Sequence, residues 1–172
     1  RFEESGGGLY KIKGGIGHSD WSADGMQPHL ADKMLEYLDE NKDSDKPFFL
    51  YMALTAPHIP LFPSKEFKGK SKIGDYGDLV MMIDDIVGRV NRKLKEIGKY
   101  DNTIVMFAAD NGCAGYINMD RINRKGHYPS YIYRGYKSHG WEGGHRIPFI
   151  LSWGDRYGHV TDNSLVSLTD LY

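Results

Sequence analysis

Apolar residues recur every three or four positions in two stretches of this chain and run without interruption in three others. After Pro28, a residue suited to the first turn of a helix, Leu30, Met34, Leu35 and Leu38 fall at helical spacing. They predict an amphipathic helix over residues 29–41. Met82, Ile83, Ile86, Val87, Val90, Leu94 and Ile97 repeat that spacing. They predict a longer helix over 78–98, ending near Gly98. Phe48 to Leu54 is a continuous apolar run of strand length, as expected of a strand covered on both faces. Thr103 to Ala109 and Ile147 to Trp153 predict two more strands.

The connections are equally marked. Residues 1–27 are rich in Gly, Ser and Asp and read as a loop-rich lead-in, with a short strand near Leu9-Tyr10-Lys11-Ile12. Segment 55–63 carries three prolines, which lack the ladder donor, so it is a loop leaving the end of a strand. A long loop rich in Gly, Tyr and Arg spans 112–146, and residues 163–172 are expected to begin a helix. Helix, strand, helix, strand, strand indicates an α/β layered sheet with flanking helices. There is no internal repeat, and residues 1–172 read as one partial domain.

Charge and composition narrow the picture. The net charge is -1, without the basic excess that nucleic-acid binding needs. No run reaches the roughly 20 apolar residues of a membrane span, and no signal peptide is visible. The chain opens Arg1-Phe2-Glu3-Glu4 without a Met, as expected of a piece of a longer protein. Cys113 is the single cysteine, so no intrachain disulfide can form. It reads as a small hydrophobe rather than a reactive thiol.

Three clusters hold the candidate chemistry. Asp110-Asn111-Gly112 ends the second strand, where α/β sheets bind ligands. Its oxygens suit a hard cation, although Asp-Asn-Gly is also ordinary turn chemistry. His58, bracketed by Pro57 and Pro60, can protonate a leaving group or bind an anion, or simply cap a carbonyl. Lys137 offers a compact positive charge for an oxyanion. It opens a segment running through Gly143-Gly144 to Arg146, which also fits a charged surface loop. Asp84-Asp85 are adjacent in a helix and point about 100° apart, so they read as solvated or as local ion-pair partners.

Several stretches, taken in order, resemble the sulfatase family of the alkaline-phosphatase-like superfamily. They are Lys46-Pro47-Phe48-Phe49-Leu50-Tyr51 through Ala56-Pro57-His58-Ile59-Pro60-Leu61, Tyr76-Gly77-Asp78 through Gly88, Ala109-Asp110-Asn111-Gly112, and Lys137 through Glu142-Gly143-Gly144-His145-Arg146-Ile147-Pro148. Ser167 to Tyr172 is similar to the helix that follows in that family. The resemblance covers most of 46–172. It implies an alkaline-phosphatase/sulfatase-like fold and hydrolysis of sulfate esters by the parent protein, including those of sulfated glycans. It implies that Asp110 and Asn111 are ligands of a Ca²⁺, with Mg²⁺ the alternative. It also implies that His58 contacts the ester near its bridging oxygen, that Lys137 binds the sulfate, and that Glu142 and Arg146 are structural. The stretch from Asp110 to Lys137 is longer than the family pattern because of residues 116–134.

One departure is decisive for the chemistry. The family's nucleophile is a formylglycine made from Cys or Ser in Cys/Ser-x-Pro-x-Arg. The residues two before the seven prolines are Met26, Asp45, Thr55, His58, Leu61, His127 and Arg146. The motif is absent, as are the family's early paired aspartates, so the isolated chain is expected to be inactive and to bind Ca²⁺ weakly. Two other readings stay open: a metal-dependent phosphodiesterase or phosphonate hydrolase of the same superfamily, or a non-catalytic carbohydrate-binding module using the Tyr-rich loop 116–136. Unpaired strand edges make self-association an expectation. The parent is expected in the periplasm or outside the cell.

Overall fold

The computed structural model describes residues 16–171; the short strand expected at 9–12 lies outside them. Two helices form the base. Helix α1 spans Met26–Glu40 and α2 spans Asp75–Glu96. Both begin about three residues before the periodic apolar pattern does, because their first turns are polar. In α2 those turns carry Asp75 and Asp78 at the positive end of the helix and Lys93 and Lys95 at the negative end. The helices bury Ala31 and Leu38 of α1 against Leu79, Met82, Ile86, Val90 and Leu94 of α2. An Arg89–Asp32 ion pair at 2.5 Å joins them at the surface.

Strands β1 (Ile104–Ala108) and β2 (Phe149–Trp153) pair antiparallel, with Ile104 opposite Trp153 and Ala108 opposite Phe149. Pro148, with no N–H to donate, stands just before β2, so the strand starts two residues later than expected. Phe48 to Leu54 is not a strand. Alternating burial keeps it extended: Phe48 and Leu50 pack on Leu38, Val90 and Leu94, while Met52 and Leu54 pack on Leu79 and Met82. No described residue offers it a ladder, and the Leu54 N–H bonds locally to the Met52 carbonyl at 3.1 Å. Only one face is covered; Phe49 is 89% exposed and Tyr51 80%.

The C-terminal helix is also absent in the expected form. Residues 168–171 make a single tight turn, and Leu165 and Leu168 are exposed. A short helix without an apolar surface to pack against is not stable in water. The 112–146 loop is more ordered than its composition suggests. It contains a turn at Gly115–Ile117, helix α3 (Met119–Asn123) and helix α4 (Glu142–His145). Buried Ile117 and Ile122 anchor it. No described helix is long and apolar enough to cross a membrane.

Asp78 is fully buried in the first turn of α2. Its carboxylate accepts the Gly69 N–H at 2.8 Å and the Ser71 N–H at 2.6 Å, pinning the 64–74 loop to the helix. Hydrogen bonds to a charged group contribute more than neutral ones, and Asp78→Ala leaves two donors without their acceptor. We expect that substitution to lower unfolding stability by about 2–3 kcal/mol in urea titrations, with Asp78→Asn intermediate. A loss below about 0.5 kcal/mol would show that the tie is dispensable.

Candidate functional site

The site assembles where three stretches of backbone touch. At the end of β1 the chain turns through Asp110, Asn111 and Gly112, and the Gly112 N–H donates to the Gly144 carbonyl at 2.8 Å. The Gly143 N–H donates to the Arg134 carbonyl at 2.9 Å, and the Lys137 N–H donates to the Cys113 carbonyl at 2.8 Å. Strand end, Lys137 segment and α4 are thus stitched together without side chains. A Cβ on Gly112 would overlap the Gly143 carbonyl oxygen, one on Gly143 the Gly135 carbonyl, and one on Gly144 the His139 carbonyl. At Gly115 a Cβ would lie 2.5 Å from the Tyr136 ring.

His58 reaches the same junction from the other side. Its ring lies edge-on to Tyr116 with centroids 5.6 Å apart, and the Ile59 N–H points to the Tyr116 hydroxyl at 3.5 Å. The His58 Nδ1 is 2.7 Å from the Ile59 carbonyl. A carbonyl can only accept, so Nδ1 carries the hydrogen and Nε2 is left for a ligand. The peptide bonds Ala56–Pro57 and Ile59–Pro60 are both cis.

His58, Asp110, Asn111 and Lys137 all line one wide, open cleft. The cleft runs from Trp21 to Leu171, so its extent alone brings nothing together. The backbone bonds to Gly112 and Cys113 and the Tyr116 contact are what gather these residues. Asp110 is exposed, and among the described residues neither its carboxylate nor the Lys137 ammonium has an ion-pair partner. The Asn111 Nδ2 donates to the Gly112 carbonyl at 2.9 Å, turning Oδ1 away from that bond. Asp110 and Asn111 therefore supply oxygen donors of the type a hard cation takes. They do not complete a cage: among the described residues no three His, Cys, Asp or Glu gather as a metal site.

Glu142 and Arg146 pair at 2.8 Å one helical turn apart, and the Arg146 guanidinium lies over the Tyr133 ring. In α2, Asp84 is exposed and Asp85 stands 3.8 Å from Arg92. Cys113 is half-buried with its Sγ 3.4 Å from the Met119 sulfur. Burial pushes its thiol up to about 11, against a smaller lowering by Tyr76, whose own phenol is pushed up to about 12 by burial and then by Cys113. Tyr116 and the glycine contacts were not singled out from the sequence. Gly143-Gly144 carried a hint, since paired glycines permit close backbone approach.

A sulfatase family model matches residues 14–172, and the chain belongs to the sulfatase family. An N-acetylgalactosamine-6-O-sulfatase of Bacteroides thetaiotaomicron is 33% identical over 155 residues, covering 88% of this chain and 30% of that protein. The human N-acetylgalactosamine-6-sulfatase is 38% identical over 130 residues, 73% of this chain and 23% of that one. A Bacteroides thetaiotaomicron structure from work on the metabolism of multiple glycosaminoglycans superposes with a TM-score of 0.71 at 34% identity, over 78% of this chain and 28% of that one. The α/β fold is that of these sulfatases. The chain spans less than a third of the length of the curated relatives it matches.

Two outcomes follow from the geometry. Gly112→Ala should destabilise the fold by about 2–4 kcal/mol, because backbone cannot yield as a flexible side chain does. Gly140→Ala, where a Cβ meets nothing within 4 Å, should stay within about 0.5 kcal/mol. Equal midpoints for the two in denaturant titration would refute the glycine junction. Separately, only the thiolate alkylates, so Cys113 should react slowly with iodoacetamide near neutral pH, its rate climbing toward a midpoint of about 11. A rate already at its plateau by pH ~9, the ordinary thiol range, would contradict its burial.

Proposed function

We propose that the complete protein hydrolyses sulfate esters on amino-sugar glycans, with this chain supplying the anion-binding and leaving-group side of the site. The observation that carries the reading is the junction that ties Lys137 to Cys113 just past Asp110-Asn111 and sets His58 against Tyr116, in a chain whose relatives include N-acetylgalactosamine-6-sulfatases. Lys137 would hold the sulfate by charge, its backbone anchored by the bond of its own N–H to the Cys113 carbonyl. His58 would face the bridging oxygen with Nε2. Because Nδ1–H is engaged by Ile59, a proton carried on Nε2 is the one it can deliver to the departing alkoxide. Asp110 and Asn111 would be two of the oxygen ligands of a Ca²⁺, with Mg²⁺ as the alternative. When bound, the cation offsets charge on the sulfate oxygens. The remaining ligands and the formylglycine nucleophile would come from sequence that these 172 residues do not contain.

Turnover of a 6-sulfated N-acetylgalactosamine substrate by the complete protein tests this reading. His58→Ala and Lys137→Ala should each lower kcat/KM about 10²–10³-fold, the usual loss for one general acid or one oxyanion-stabilising group. Asp110→Ala should raise the Ca²⁺ concentration needed for activity, and the purified 172-residue chain should not turn over. Full activity in both alanine variants, or hydrolysis by the isolated chain, would defeat the proposal.

A further inference from the structure

The sulfate-binding reading uses Lys137 but not the aromatic segment leading into it. Two successive turns shape that segment: the Tyr131 N–H donates to the Tyr128 carbonyl at 2.8 Å and the Tyr133 N–H to the Ser130 carbonyl at 2.9 Å. Between them Tyr131 sits at φ 51°, a left-handed conformation that a bulky side chain rarely adopts. Such strain persists where the surroundings over-determine it, and it concentrates at ligand clamps.

The two rings differ in how they are held. Tyr133 is braced on one side by Arg146, whose guanidinium is 4.8 Å from its centroid and is itself paired to Glu142. Tyr131 meets the Tyr133 ring edge-on at 6.0 Å and is otherwise 70% exposed. A fixed ring therefore supports a projecting one. Tyr131 and Tyr133 face the wide cleft that Asn111, His58 and Lys137 also line, and what keeps them near Lys137 is the chain itself, since Tyr133 directly precedes Arg134, whose carbonyl accepts from Gly143. The platform is tied to the strand end by two backbone links, Arg134 to Gly143 and Gly144 to Gly112.

A sugar ring is the ligand that matches these features. A pyranose has an apolar C–H face, which stacks on an aromatic ring, and a polar rim, which a phenol hydroxyl can meet. An aliphatic protein or lipid partner would not call for phenols on a strained turn next to an anion-binding lysine. Resting on the sulfatase reading above, we propose that Tyr131, braced by Tyr133, is a stacking subsite for a pyranose ring of the glycan, holding it while its sulfate sits at Lys137. Tyr131 is thus a specificity-determining residue for oligosaccharide over simple aryl esters.

The test uses the complete protein with Tyr131→Ala and Tyr131→Trp, on an N-acetylgalactosamine-6-sulfate tetrasaccharide and on nitrophenyl sulfate. Tyr131→Ala should raise KM for the tetrasaccharide about tenfold, the loss expected of one aromatic stacking contact, with kcat held. KM for nitrophenyl sulfate should not move, and Tyr131→Trp should restore the tetrasaccharide value. An equal change on both substrates, or on neither, would overturn the subsite. Tyr131→Gly, which relieves the positive φ, should behave like Tyr131→Ala and separates lost stacking from relieved strain. If the unaltered protein hydrolyses no sulfate ester, the sulfatase reading fails by itself. The subsite is then judged by NMR titration with the desulfated tetrasaccharide: binding weakened about tenfold by Tyr131→Ala supports it, while equal or undetectable binding in both overturns it. Protection of Tyr131 from iodination in the unliganded complete protein would also overturn it, since a buried ring cannot stack on a ligand.

Discussion

Backbone touching backbone is the constraint on which this structure depends. Gly112, Gly143 and Gly144 let the end of β1, the segment around residues 134–139 and helix α4 approach to distances that no side chain permits. The hydrogen bonds from Gly112 to Gly144 and from Gly143 to Arg134 then satisfy groups that close packing would strip of water. Functional side chains need positions fixed to a fraction of an ångström, and long side chains are poor struts for that purpose. Here Lys137 inherits its position from main chain. So do Asp110 and Asn111, which stand on the last residues before the junction.

Beneath the junction, the α1–α2 pair acts as a floor rather than a wall. Leu38, Val90 and Leu94 on one stretch, and Ala31, Leu79, Met82 and Ile86 on the next, give the extended 48–56 segment and Val105 of β1 a continuous apolar surface. Packing along this surface fixes the direction in which both chains run, so His58 and Asp110 emerge at the same end. Gln27 reinforces the alignment by donating from Nε2 to the Thr55 hydroxyl at 2.5 Å, at the point where the extended segment becomes the proline loop. The opposite face of the β1–β2 pair exposes Ile104, Met106 and Leu151, and the extended segment likewise exposes its alternate residues Phe49 and Tyr51.

What was legible in the sequence followed from local rules. The helices declared themselves by period, which picked out Leu38, Met82, Ile83, Ile86, Val90 and Leu94 among their buried residues but passed over Ala31 and Leu79. The strands β1 and β2 were legible as apolar runs, but pairing was not. Phe48 to Leu54 has the composition of a strand and the extended backbone of one, yet a ladder requires a neighbour, and composition says nothing of neighbours. The 163–172 segment failed for the same reason, with no surface for its apolar residues to cover. At the candidate site, the structure places Asp110, Asn111, His58 and Lys137 along one cleft, and all four were picked out by local chemistry. Tyr116 was not, because its value lies in a contact 57 to 58 residues away along the chain.

The same distinction explains why this chain carries oxygen donors without a cage. A hard cation needs about six to eight oxygens, and two adjacent residues at one strand end can direct only a few toward a point. Under the proposed reading further ligands would arrive from elsewhere, so a cation site would be a property of the assembled layer and not of any one segment. His58 and Lys137 differ in kind. Each is fixed by a contact inside this chain, His58 by the Ile59 carbonyl and Tyr116, Lys137 by Cys113. The residues proposed for the anion are therefore anchored within this chain, while those proposed for the cation are not enclosed by it. Under the proposed reading that order would be useful: the backbone that carries Lys137 and the ring of His58 are held by contacts within this chain, and the nucleophile and metal would come from outside it.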